Sequence, residues 1–160
     1  MMGGVENFIG PRDIVLLKPN AQWWNQGTTN TDAMRTFIEM VLEMPGFQGE
    51  LIIAENHHFP DENSRGWTTE HRNGAFNLNE LVEHFQHLGR RNVTKYHWRD
   101  GGPSRPGYWG GAENGGIVTG PGQGDGYIWR SDLVYVAPSG RKAMMSYPIF
   151  TSSYSGITVD

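Results

Sequence analysis

Two short apolar runs separated by one amphipathic segment constrain this chain more than any other feature. The first is Asp13-Ile-Val-Leu-Leu-Lys-Pro-Asn20, apolar residues closed by a Pro-Asn turn signal. A run of this length suits a strand buried on both faces. Polar loop fills residues 21–30, and Thr31 and Asp32 then offer N-terminal caps. Behind them Ala33, Met34, Phe37, Ile38, Val41 and Leu42 recur at helical spacing, and Pro45 with Gly46 ends the pattern. Leu51-Ile-Ile-Ala54 is a second buried strand, closing at Glu55-Asn56-His57-His58. Strand, helix and strand in this order predict a right-handed crossover between parallel strands.

The unit then repeats. After a loop over residues 59–76, Asn77 precedes Glu80 by three positions, the spacing of a capping box. Leu78, Leu81, Val82, Phe85 and Leu88 share one helical face up to Gly89. Residues 92–98 form a third strand, and its Thr94 and Lys95 suit an edge. Residues 100–126 hold 11 of the 22 glycines and three of the nine prolines, with no surviving period, so they predict a long insertion or lid. As a lid, it would let Tyr108 and Trp109 fold over a bound ligand. Strand character returns over 127–137, with two more short strands at 146–150 and 157–159.

The expected fold is α/β: a three-layer sandwich with a small, mainly parallel, Rossmann-like sheet and a long Gly-rich insertion, in one domain over residues 1–160. The first clear strand starts near Asp13 and the chain stops at Val159-Asp160, inside or just after a strand, so a piece of a longer protein is the expectation, with a natural end as the alternative.

Composition narrows the function. Lys and Arg number 13 against 17 Asp and Glu, a net charge of −4, which argues against a nucleic-acid partner because phosphates need a clustered positive surface. The absence of cysteine excludes disulfides, thiolate metal sites, cysteine nucleophiles and any iron–sulfur cluster ligated by cysteines of this chain. No apolar run approaches the ~20 residues of a membrane-spanning helix, so no membrane partner is expected. Residues 1–10 lack the basic start and apolar core of a signal peptide, which favours the cytoplasm without deciding localisation.

The segment Asp13-Ile-Val-Leu-Leu-Lys-Pro-Asn20, followed by Gly27-Thr-Thr-Asn-Thr-Asp32, a helix and Leu51-Ile-Ile-Ala-Glu55, resembles the domain of unknown function 362 family. Members of that family carry a hydrophobic strand ending in Lys-Pro-Asn and a Thr-rich helix start. The likeness covers residues 13–55, with a fainter echo in Ser146-Tyr-Pro-Ile-Phe150 and Gly156-Ile-Thr-Val159. It implies an α/β fold within a longer family member and no general activity. The ferredoxin-type extension of some members has no counterpart here, and the Lys-Thr-His motif of many members is missing.

In open α/β sheets ligands bind beyond the carboxyl ends of the strands, near a reversal of strand order. Lys18 and Asn20 follow the first strand, Glu55 to His58 the second, and His97, Arg99 and Asp100 the third, so all three clusters are expected at one crevice. Lys18 and Asn20, with Thr28, Thr29 and Thr31 before a helix N-terminus, have the chemistry of an anion site. The plainer alternative is that Lys18 reaches solvent and the threonines cap the helix. Glu55, His57 and Asp61 are the densest set of metal ligands, suited to zinc, iron or manganese. His58 points away from Glu55 and His57 if the strand continues, and the alternative is a polar strand exit bonded to nearby loops. His71 or His97 could complete a metal set. His84 and His87 fall on the outer face or margin of their helix and are expected at the surface. Six tryptophans, mostly in loops, suit gap-filling in a glycine-rich core better than stacking on sugars or bases.

These residues lead to an enzyme or enzyme-domain fragment. Lys18, Asn20, Thr28, Thr29 and Thr31 would hold an anionic small molecule, and Glu55, His57, His97 and Asp100 would supply acid–base chemistry. A divalent metal would sit at Glu55, His57 and Asp61. The alternatives are a non-catalytic ligand- or glycan-binding or assembly domain, and a fragment that homodimerises through an edge strand near Val159.

Overall fold

A computed structural model describes residues 4–21, 28–55, 72–97 and 117–159, in two compact units, Met1–Tyr96 and His97–Asp160. The first unit builds a three-stranded parallel sheet and two helices, the expected α/β class. Strand β1 (Ile14–Leu17) and strand β2 (Glu50–Glu55) pair in parallel, Ile14 opposite Glu50 through Leu17 opposite Ile53. Between them runs helix α1 (Thr31–Leu42). Helix α2 (Leu78–His87) leads to strand β3 (Val93–His97), and the strand order is β1-β2-β3.

Both helices form for the reasons their sequences suggest. Ile38 and Val41 of α1 and Leu81, Val82 and Phe85 of α2 are at most 2% exposed, and they form one cluster with Leu51, Ile53 and Val93. Because side chains alternate along a strand, Leu51 and Ile53 mark one face of β2, and both helices join that face. Ile52 and Ala54 lie on the other face and are equally buried. Asn77 and Glu80 close the expected capping box at α2, with bonds of 2.8 and 2.9 Å. At Gly49, just before β2, a side chain would overlap the Asp13 carbonyl that accepts the Glu50 N–H, so only glycine lets β1 and β2 start side by side.

Two local expectations change. β1 is not buried on both faces: Leu16 is 40% exposed, because β1 stands at the end of the strand order and only β2 is central. α1 is capped by Asn30, whose Oδ1 accepts the Ala33 N–H at 3.0 Å, rather than by Thr31 or Asp32.

In the second unit, β4 (Ile117–Val118) pairs in parallel with β5 (Gly126–Val136). β5 then pairs antiparallel with β6 (Lys142–Thr151), and β6 antiparallel with β7 (Thr158–Val159). This sheet is thus mainly antiparallel, and its strands overlay the three C-terminal strand segments expected from sequence. The end of the Gly-rich segment is structured too: β4, a 3-10 turn at Pro121–Gln123 and the start of β5 fall within it. These elements escape local periodicity because β4 has only two residues and exists by pairing. Residues 100–116, with Tyr108 and Trp109, lie outside the described residues.

The β5–β6 ribbon carries a marked irregularity. Arg130 faces Met145 and Val134 faces Met144, so three residues of β5 bulge out where β6 has none. Asp132 in the bulge accepts two bonds from the Arg130 guanidinium, at 2.8 and 2.5 Å.

Candidate functional site

Lys18 is the first residue past β1 and Glu55 the last of β2, so parallel pairing delivers both to one sheet edge. Lys18 Nζ donates to Glu55 Oε2 at 2.5 Å. The two ends of this ion pair differ in exposure: the Lys18 side chain is 58% exposed and that of Glu55 10%. The pair therefore presents its positive end to solvent, with the carboxylate held behind it. The strand order runs one way, so among the described residues the sheet has no reversal of order. This site instead owes its position to the adjacency of β1 and β2.

Beside the pair, a cleft of about 320 Å³ opens between the end of β1 and the first turns of α1. Its apolar wall includes Leu16, Pro19, Ala33, Met34 and Phe37, and its polar lining residues are Lys18 and Thr29. Among the described residues no acidic side chain lines it. Sequence periodicity assigns Ala33, Met34 and Phe37 to a core-facing helix stripe; of the three Met34 is the buried one, at 8% exposure, and the stripe is wide enough to serve both core and cleft.

The threonines expected to bind an anion are drawn into the chain's own hydrogen bonds. Asn20 N donates to Thr29 Oγ1 at 2.7 Å while Thr29 N donates back to Asn20 O at 2.8 Å, and Ala21 bridges Thr28. Thr31 is fully buried, and its hydroxyl lies 2.9 Å from Phe76 O and 3.1 Å from Asn73 O. Asn73 also accepts the Thr31 N–H at 2.7 Å and donates its amide to Thr28 O at 2.6 Å. The Asp32 carboxylate accepts the Ala75 N–H, at 3.3 Å to each oxygen. The segment 73–76 thus occupies the N-terminal pole of α1, with a carboxylate already in its first turn. Gly74 makes this approach possible: its φ is +117°, and a Cβ there would lie 2.6 Å from Thr31 Oγ1. Lys18 is bonded to Glu55 yet 58% exposed, whereas Thr31 is fully buried, so Lys18 faces solvent more than the helix-start threonine of the expected set.

Of the other expected residues, His97 ends β3, while His57, His58, Asp61, His71 and Asp100 lie outside the described residues. Among the described residues no group of three or more His, Asp or Glu is arranged to hold a metal ion. No described helix is long and apolar enough to cross a membrane.

A second cleft, of about 370 Å³, involves α2 and the segment before it. His84 and His87 line it with Phe76, Glu80 and Glu83, and Arg72 forms an ion pair with Glu80. The His84 ring packs at 5.0 Å against Phe76 with the planes tilted by 38°, and it meets Phe85 edge-on at 5.3 Å. His84 is accordingly half-buried and His87 exposed, in keeping with a surface-facing pair. The spacing of residues 80, 83, 84 and 87 places them on one helix face, the signal from which this cleft was legible.

The fold and the Lys18–Glu55 edge define an α/β protein with a small parallel sheet and a polar strand-end site. No protein-family model, curated protein or solved structure matches the chain.

Proposed function

We propose that the chain is an enzyme domain, or a piece of one, that binds an anionic small molecule at the carboxyl ends of β1 and β2. One observation carries this reading: the Lys18–Glu55 pair, cation outward, stands at the ends of adjacent parallel strands beside a 320 Å³ cleft. Strand ends are where open α/β sheets place their ligands. In this proposal Lys18 contacts the anion, and Glu55 positions Lys18 and supplies a carboxylate to the reaction. His57 and Asp61 join Glu55 as ligands of a divalent metal, and His97 or Asp100 supplies a further acid or base. Membership of the domain of unknown function 362 family is part of the same proposal, because its Lys-Pro-Asn strand exit is the segment that presents Lys18.

Two measurements test it. Calorimetric titration with simple carboxylates and inorganic phosphate is expected to detect binding that Lys18→Met weakens; unchanged affinity in that variant refutes the anion role. Elemental analysis of untagged protein beside Glu55→Gln and His57→Ala tests the metal: near-stoichiometric metal lost in both variants is expected, and metal-free wild type after refeeding refutes it.

A second reading, a non-catalytic assembly domain that pairs with another copy, draws on the second unit. Leu133, Val134, Tyr135 and Val136 of β5 are 38–65% exposed, and β7 stands at the end of its strand order. β4 pairs only with Tyr127 and Ile128, so residues 133–136 of β5 have β6 as their one neighbour among the described residues, and such exposed apolar strand margins invite pairing. Sedimentation equilibrium decides it: a dimer that Tyr135→Asp dissociates supports this reading, and a monomer at high concentration removes it.

A further inference from the structure

We infer that the ligand of the Lys18 site is a small amphiphilic carboxylate, with an apolar alkyl or aryl body in the cleft and its anionic group on Lys18. The inference rests on the reading that Lys18 receives an anion, and it deepens that reading by naming the rest of the molecule.

The lining chemistry is the starting point. Met34 and Phe37 from α1 and Leu16 and Pro19 from the end of β1 supply hydrocarbon, and Ala33 leaves room between them. A fully hydrated anion such as inorganic phosphate gains nothing from such walls, because burying charge against hydrocarbon is costly. An apolar chain gains about fourfold in affinity for each CH₂ it buries there, the equivalent of ~0.8 kcal/mol. At about 320 Å³ the cleft falls at the small end of ligand sites, which run from ~300 to 1,000 Å³. This size selects a short body.

Electrostatics then select the head group. Among the described residues Lys18 is the charged one lining the cleft, and its side chain is the more exposed end of the pair with Glu55. The ammonium has three N–H donors; in this proposal a carboxylate arriving from solvent takes one of them while Glu55 continues to hold another. Glu55 keeps the long Lys18 side chain in one place, which lowers the ordering cost of binding. Thr29, whose Oγ1 accepts from Asn20 N, fixes the neighbouring loop at the same rim.

The test is a calorimetric titration of the whole chain with acetate, hexanoate, 3-phenylpropanoate, 1-hexanol and inorganic phosphate, repeated on Lys18→Met and Ala33→Glu. Ala33 is exposed and joins the cap of α1 through its backbone N–H rather than its side chain, so Ala33→Glu retains the fold. Its carboxylate would crowd and repel the ligand. The expected result is hexanoate and 3-phenylpropanoate binding at least tenfold tighter than acetate. Lys18→Met should lower hexanoate affinity about tenfold, and Ala33→Glu should abolish it. Equal affinities for acetate, phosphate and hexanoate, all lost in Lys18→Met, would overturn the amphiphile while leaving the anion site standing. Hexanol binding as tightly as hexanoate, or hexanoate binding indifferent to Lys18→Met, would overturn both. So would the absence of binding by any of these probes.

Discussion

Thr31→Val removes one hydroxyl from the place where segment 73–76 meets α1, and its cost follows from the partners left behind. The hydroxyl has one proton to donate, to Phe76 O at 2.9 Å or Asn73 O at 3.1 Å, and it accepts the Phe76 N–H at 3.3 Å. Valine matches threonine in shape, so no cavity opens, but the Phe76 amide and one carbonyl lose a partner beside a fully buried side chain. Each stranded buried polar group costs about 1–3 kcal/mol. Asn73 O still receives the Thr31 N–H at 2.7 Å, which holds the total toward the low end, so the expected loss is about 2 kcal/mol. Equilibrium urea unfolding would show a lower midpoint with unchanged slope. Gly74→Ala provides a second handle, since its Cβ would approach Thr31 Oγ1 to 2.6 Å at a backbone φ of +117°. Combined with Thr31→Ala, part of that penalty should vanish, giving a coupling of about 0.5–3 kcal/mol. A Thr31→Val loss below about 0.5 kcal/mol would refute the argument that this hydroxyl ties the two segments together.

Three further outcomes are expected. Asn77→Ala removes half of the capping box and should cost about 1 kcal/mol by the same urea assay, with far-ultraviolet circular dichroism reporting reduced helix on partial unfolding. Burial lowers the pKa of Lys95 below its ordinary 10.5, against a smaller opposing pull from Glu83. The unfolded chain therefore binds more protons between the lowered value and 10.5, and stability should rise with pH across that window relative to Lys95→Met; parallel pH profiles for the two proteins would refute this. The hydrogen bond from Arg130 brings the Asp132 carboxyl to about 2 from its ordinary 3.8. Any stability linked to Asp132 is present above 3.8 and lost as pH falls through about 2, and Arg130→Met should return its carbon-13 titration midpoint toward 3.8.

Local elements were legible where neighbours in sequence are also neighbours in space. The apolar stripes of α1 and α2, the capping box of Asn77 and Glu80, and the apolar strand β2 depend on contacts within a few residues or on burial that composition signals directly. Strand ends then pointed to Lys18 and Glu55 as residues of one edge, and parallel pairing places them there. Edge and centre were not separable by the same means: Ile14–Leu17 is as apolar as Leu51–Ala54, yet Leu16 remains 40% exposed.

The sequence by itself determined where the two helices and the strands of the first unit fall, because periodicity, caps and breakers act over a turn or two, whereas β6, expected over 146–150, runs from Lys142 to Thr151 by pairing with β5. Tertiary structure decided how the polar groups at those ends are used. Lys18 meets Glu55 across 37 residues, and Thr31 meets Asn73 and Phe76 across 42 and 45. A threonine before a helix has the same local chemistry whether it caps that helix, faces an anion or receives a distant strap of chain. Only the folded path supplies the partner, because a hydrogen bond is satisfied by whichever group arrives within about 3 Å, irrespective of its distance along the chain.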